Sequence, residues 1–248
     1  MLGISLQSVV RKRGDVTSPF HHCPIEAIIF DLDGTLLDSA AQIAAAINAL
    51  LRARGLETFL AGEIARHVGW GSHKLIESAF ASRGAILSNE QITAQEKLYL
   101  ANYASIAERD IVFFPGAIKL IGALARRKLS LGICTNKQEG IARAILEKVK
   151  LLPMFGSIIG ADSGFGLKPS PAPLYAALQR LKAINSRTVF VGDSAIDDEA
   201  AFAAQVPFAR VRHPGYPPPI SPFEPEYQLG ELSELTAIVD RRNKVAAP

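Results

Sequence analysis

Two hydrophobic rhythms alternate along the 248-residue chain. Short unbroken apolar runs at Ile25–Phe30, Leu129–Cys134, Ser157–Gly160, Thr188–Val191 and Phe208–Val211 read as strands buried on both faces. Between most of them lie helical patterns, at Gly116–Arg127, Gln138–Val149, Pro171–Lys182 and Ile196–Gln205. That alternation predicts an α/β fold: a Rossmann-like parallel sheet core with helices on both faces. In such sheets chemistry gathers beyond the carboxyl ends of the strands.

The stretch from Ala40 to about Asp110 breaks the rhythm, with helical patterns and no strand. Ser39 and Gln42 have capping-box spacing before AAQIAAAINALLRAR, and Gly55 suits the end of that helix. Further helices fit Ser72–Ser82, with Gly84 behind it, and the run after Ser88, where Gln91 repeats the box spacing. The expected organisation is an N-terminal extension over 1–24, a core over 25–39 and 111–240, and an inserted α-helical cap over 40–110. The tail from His213 to Pro225 is proline-rich and reads as irregular, with a last short helix near Glu231–Val239.

Composition narrows the function. Of the net charge of +3, the extension carries +2, from Arg11, Lys12 and Arg13 against Asp15. The rest is near neutral, which argues against a nucleic-acid surface. LQSVV in the extension fits a short docking helix, but no apolar run approaches a membrane span. Two cysteines, Cys23 and Cys134, suggest no disulfide framework. The expectation is a cytoplasmic protein, monomer or homodimer.

Polar residues cluster just past the strands. IIFDLDGTLLDS places Asp31 and Asp33 on one side of an extended chain, an arrangement unfavourable unless a cation or protons sit between them. Thr135 and Asn136 follow LSLGIC, Lys168 precedes Pro169, and Asp193, Ser194 and Asp197 follow TVFVG. A D-G turn after a strand is common for conformational reasons alone. Four such clusters in order at strand ends are hard to explain by folding alone.

With DLDGTLLDS, TN, KP and GDSAID in that order, the chain from Ile25 to about Val239 resembles the haloacid dehalogenase superfamily, in its phosphatase branch with a helical cap. The resemblance implies that Asp31 is a nucleophile forming an aspartyl-phosphate. Asp33 would protonate the leaving group and later accept a proton from water. Thr135, Asn136 and Lys168 would stabilise the transferring phosphoryl group, and Asp197 would orient Lys168 or a metal-bound water. Mg²⁺ would be held by Asp31, Asp193 and the backbone carbonyl of Asp33. Gly34 permits the tight turn, and Thr35 is expected to cap the segment after it.

Within that branch, GICTNKQEGIARAILEKVKLLPMFGSIIGAD, LKPSPAPL and HVGWGSHKLIESAF resemble phosphoglycolate phosphatases. The implied substrate is a small phosphate ester, with Arg66, His73 and Lys74 as candidate cations for its carboxylate. Gly69, Trp70 and Gly71 also fit a helix–helix turn with a core tryptophan. A β-phosphoglucomutase-like transferase or a pyrophosphatase shares the four motifs, and a catalytically silent phospho-ligand binding protein shares the fold.

Overall fold

In a computed structural model of the chain, the described residues are 23–214, 216 and 219–245. Most of the expected extension, with its docking helix, lies outside them. Six parallel strands form one sheet: β1 (Ala27–Phe30), β2 (Ser130–Cys134), β3 (Ser157–Ile159), β4 (Thr188–Gly192), β5 (Phe208–Val211) and β6 (Tyr227–Leu229), ordered β3-β2-β1-β4-β5-β6. The order reverses around β1, so the loops after β1, β2 and β4 converge where such folds bind ligands.

Strand residues alternate between two apolar layers. Ile28, Phe30, Leu131, Ile133, Val189 and Val191 point into one. Ile29, Cys134, Phe190 and Phe208 point into the other. Helices α7 (Ala172–Leu181) and α8 (Ala195–Ala204) cover the second layer through Leu174, Leu178, Ala201 and Ala204. The first is covered by α5 (Ala117–Arg126), α6 (Glu139–Lys148) and α9 (Glu234–Val245), through Leu120, Leu146 and Val239. Both faces are buried, which is why the strands read as unbroken apolar runs.

The 40–110 stretch folds as α1 (Ala40–Arg52), a short α2 (Ala61–Ile64), α3 (Ser72–Ala81) and α4 (Asn89–Ala107). The sequence reading did not anticipate α2 or the 3₁₀ turn Ala65–His67 behind it. Both chain crossings between this region and the sheet pair with each other. Asp38 N–H donates to Val112 at 2.9 Å, and Phe114 N–H donates to Leu36 at 2.9 Å. Among the described residues, no helix is long and apolar enough to cross a membrane.

Local chemistry explains where the structure departs from expectation. Ser88 and Gln91 do form a capping box on α4. Ser39 and Gln42 do not: Ser39 makes no side-chain cap bond on α1. Its hydroxyl meets Tyr103 of α4, and the Gln42 amide donates to the Asp110 carbonyl, so both residues tie the two crossings together. Strand β6 was missed because it is short, at the sheet edge, and behind the proline-rich tail. Helix α9 runs beyond Val239 because the buried Arg242 guanidinium grips the Cys23 carbonyl, with Nε at 2.8 Å, and the Tyr227 hydroxyl at 2.8 Å.

Candidate active site

Asp31 directly follows β1, its N–H donating to the Val191 carbonyl at 2.8 Å. The chain then leaves the sheet in a tight turn in which the Leu32 carbonyl accepts from Leu36 at 3.0 Å and Leu37 at 2.9 Å. Gly34 makes the turn possible at φ +85° and lies so close to Asp193 that a Cβ there would sit 2.4 Å from Oδ2. Thr35 does not cap the segment; its hydroxyl donates to Asp193 Oδ1 at 2.7 Å. The turn after β1 therefore fixes the side chain that follows β4.

Lys168 is buried, and its ammonium donates to Asp31 Oδ1 at 2.7 Å and Asp197 Oδ1 at 2.6 Å. Asp197 has a second duty at the third position of α8, where Oδ2 accepts from the Ser194 hydroxyl at 2.6 Å. Its place is thus set by a capping box. Asp198, the next residue along α8, faces away and pairs with the buried Arg210. Asn136 bonds Lys168 through both backbone groups, donating to its carbonyl at 2.9 Å and accepting from its N–H at 2.9 Å. The amide also donates to the Gly69 carbonyl at 2.9 Å. The side chain expected to face substrate is therefore engaged in holding Lys168 and the Gly69 loop. Thr135 Oγ1 accepts from the Lys137 N–H at 3.2 Å.

Burial raises the Asp31 carboxyl to about 6 against the pull of Lys168, with Asp197 and Asp33 adding to the rise. Burial also raises Asp193 well above the usual range, helped by Asp197 and Asp31. Burial alone would lower Lys168; Asp197 and Asp31 outweigh it and keep the ammonium charged. One ammonium among three close carboxylates leaves excess negative charge, which suits a divalent cation. Ligand atoms of Asp31, Asp193 and Asp197 lie within 4.8 Å of one another. Lys168 and Ser194 already occupy both Asp197 oxygens, so the donor set that fits a cation centres on Asp31 and Asp193.

Asp33, also beside the cleft, has its own lysine, which sequence reasoning missed. Lys137 Nζ lies 2.8 Å from Asp33 Oδ2, and both are nearly enclosed. The signal was available, since Lys137 directly follows Thr135 and Asn136. These residues line one cleft between the carboxyl end of the sheet and the 40–110 helices. Its larger lobe, about 380 Å³, holds Asp31, Lys168, Asp193, Arg66 and Trp70. Trp70 is half exposed at this rim and is no core residue. Of the three cations considered for a substrate carboxylate, His73 lies 3.4 Å from Glu96 and Lys74 lies 2.6 Å from Glu77. Arg66 lines the cleft with no acidic partner among the described residues.

The haloacid dehalogenase-like hydrolase family matches residues 28–211. The chain is 38% identical over 212 residues to a phosphoglycolate phosphatase of Rhodospirillum rubrum, covering 84% of this chain and 86% of that one. A phosphoglycolate phosphatase of Caulobacter vibrioides is 34% identical over 190 residues, covering 77% and 80%. Among solved structures, CbbY from Rhodobacter sphaeroides in complex with phosphate superposes with a TM-score of 0.73 at 23% identity, covering 87% of this chain and 99% of that one. That likeness concerns the fold.

Proposed function

The chain belongs to the haloacid dehalogenase-like hydrolases, and from that premise we propose that it is a magnesium-dependent phosphatase acting through an aspartyl-phosphate on Asp31, with 2-phosphoglycolate as its substrate. The observation that carries the reading is Lys168 bridging Asp31 and Asp197 at the carboxyl end of the sheet, with Asp193 alongside. A carboxylate at the bottom of a cleft, with one oxygen held by an ammonium, is an oriented nucleophile.

The Asp31 carboxylate attacks phosphorus, forming an Asp31 O–P bond while the ester P–O bond breaks. Asp33 gives its proton to the departing oxygen. Asp33, now a carboxylate, then takes a proton from the water that attacks phosphorus and breaks the Asp31 O–P bond. Lys168 and the Thr135 hydroxyl stabilise charge on the phosphoryl oxygens. With its side chain engaged, Asn136 serves by holding Lys168 in place. Asp31, Asp193 and the Asp33 carbonyl would hold Mg²⁺, which when bound supplies the positive charge that offsets repulsion between carboxylate and phosphate. The 40–110 helices enclose the cleft and exclude bulk water.

The substrate assignment draws on the named activity of the relatives and on Arg66, a cation in the cleft suited to a carboxylate. Asp31→Asn should keep the fold and lose turnover; a freshly purified variant retaining a substantial part of the rate overturns the nucleophile. Steady-state kcat/KM for 2-phosphoglycolate, glucose 1-phosphate and pyrophosphate tests the substrate. A clear preference for either rival overturns that part alone.

A further inference from the structure

Lys137 has no part in the steps above, yet it is the second ammonium enclosed in the cleft. Its Nζ meets Asp33 Oδ2 at 2.8 Å and the Tyr103 hydroxyl at 2.5 Å, and stands 4.3 Å from the centre of the Tyr103 ring. Tyr103 belongs to α4, in the inserted helices, whereas Lys137 and Asp33 belong to the loops at the sheet. The tyrosine is itself fixed: its ring is parallel to that of Tyr99, with centroids 5.5 Å apart, and its hydroxyl also meets Ser39 at the chain crossing. Burial holds that phenol well above its ordinary range, so it remains a neutral hydrogen-bonding group.

A buried ammonium needs hydrogen-bond acceptors, and a purely structural contact would satisfy both partners with nothing left over. Here something is left over. Asp33 Oδ1 is buried and has no hydrogen-bond partner among the described residues, while Oδ2 is taken. Unpaired buried oxygens are destabilising and uncommon. This one belongs to a residue lining the cleft beside Asp31.

We propose that Lys137 is a positioning residue for proton transfer. By holding Asp33 through Oδ2 it turns Oδ1 toward the leaving-group oxygen, and through Tyr103 it makes that orientation depend on α4 lying against the sheet. Oδ1 is then the atom that releases the proton as the ester bond breaks and takes one from water in the second half-reaction. The inference rests on the reading of Asp33 as the proton donor. The contact with α4 gives a physical reason for the acid to be aligned only when the cleft is enclosed, since bulk water would otherwise compete for the phosphoryl group.

The test compares kcat/KM, which reports leaving-group departure, for 4-nitrophenyl phosphate and for an alkyl phosphate whose leaving oxygen needs a proton. Variants are Lys137→Met, Lys137→Arg, Tyr103→Phe and Asp33→Asn, each checked by circular dichroism and thermal melting. Lys137→Met should lower kcat/KM for the alkyl ester by about tenfold or more, a share of what acid catalysis provides. The nitrophenyl ester should change less than threefold. Tyr103→Phe should show the same asymmetry with a smaller loss, and Lys137→Arg should recover part of it. Equal losses with both esters in folded Lys137→Met overturn the proposal, as does a selective rise in KM for carboxylate-bearing esters, which would make Lys137 a substrate ligand. If Asp33→Asn shows the asymmetry and Lys137→Met does not, only the role of Lys137 falls. If Asp33→Asn lacks it, the reading of Asp33 falls first. Should Lys137→Met fail to fold, Tyr103→Phe, which keeps the ring and the ion pair, decides the matter by the same asymmetry.

Discussion

Replacing Gly34 by alanine separates two effects that the structure puts at one atom. The residue sits at φ +85°, where a Cβ is strained by roughly 1–2 kcal/mol. The new Cβ would also lie 2.4 Å from Asp193 Oδ2 and 2.8 Å from its Cγ, about an ångström inside ordinary contact. Asp193 cannot step aside freely, because the Thr35 hydroxyl holds Oδ1 at 2.7 Å. Strain and displacement together should destabilise the fold by roughly 2–4 kcal/mol, as overpacking does elsewhere. For a chain of this size that lowers Tm by roughly 4–16 °C. Moving one carboxylate of the site by about an ångström should also reduce kcat by about 100-fold. The decisive measurement is a double-mutant cycle by thermal or urea denaturation. With Asp193→Ala the collision partner disappears, so Gly34→Ala should then cost only the strain of about 1–2 kcal/mol. An equal cost in both backgrounds would refute the contact. A single mutant with normal Tm and normal turnover would refute the whole argument.

Other expectations concern charge. Lys168→Met removes the ammonium that bonds both Asp31 and Asp197; it should abolish measurable turnover and destabilise by about 3–5 kcal/mol, and a wild-type Tm would contradict this. Arg66→Gln should raise KM for 2-phosphoglycolate by about tenfold or more, a lost charged hydrogen bond, while leaving 4-nitrophenyl phosphate unchanged; an equal change in both would remove Arg66 from recognition. Because the folded-state Asp31 carboxyl lies at about 6, above its ordinary 3.8, metal-free protein loses this group's contribution as pH rises through the interval between those values. Mg²⁺ competes with those protons, so the Tm increase it produces should be larger at pH 7.5 than at pH 5, and the opposite order in differential scanning fluorimetry would exclude Asp31 from the metal site.

Four motifs at strand ends were enough to anticipate Asp31, Asp33, Lys168 and Asp193 gathered at one end of a parallel sheet. Apolar runs mark strands buried on both faces, and parallel connection brings their carboxyl ends together. Capping signals were readable where the local chain alone decided the outcome, as at Ser88 and Gln91. At Ser39 and Gln42 the same spacing failed, because Tyr103 and the Asp110 carbonyl, remote in sequence, competed for those side chains.

By itself, the sequence determined the period of the longer elements, the order of the first five strands along the chain, and the two acids held one residue apart after β1. Those are local properties, set by side-chain alternation and turn chemistry within a few residues. Only the tertiary structure decided the partners. It placed Lys137 against Asp33, 104 positions apart, turned the Asn136 amide toward Lys168 and Gly69, and sent the Thr35 hydroxyl to Asp193. Buried polar groups must find partners wherever the fold brings them, and which partner is within reach depends on the packing of elements far apart in the chain.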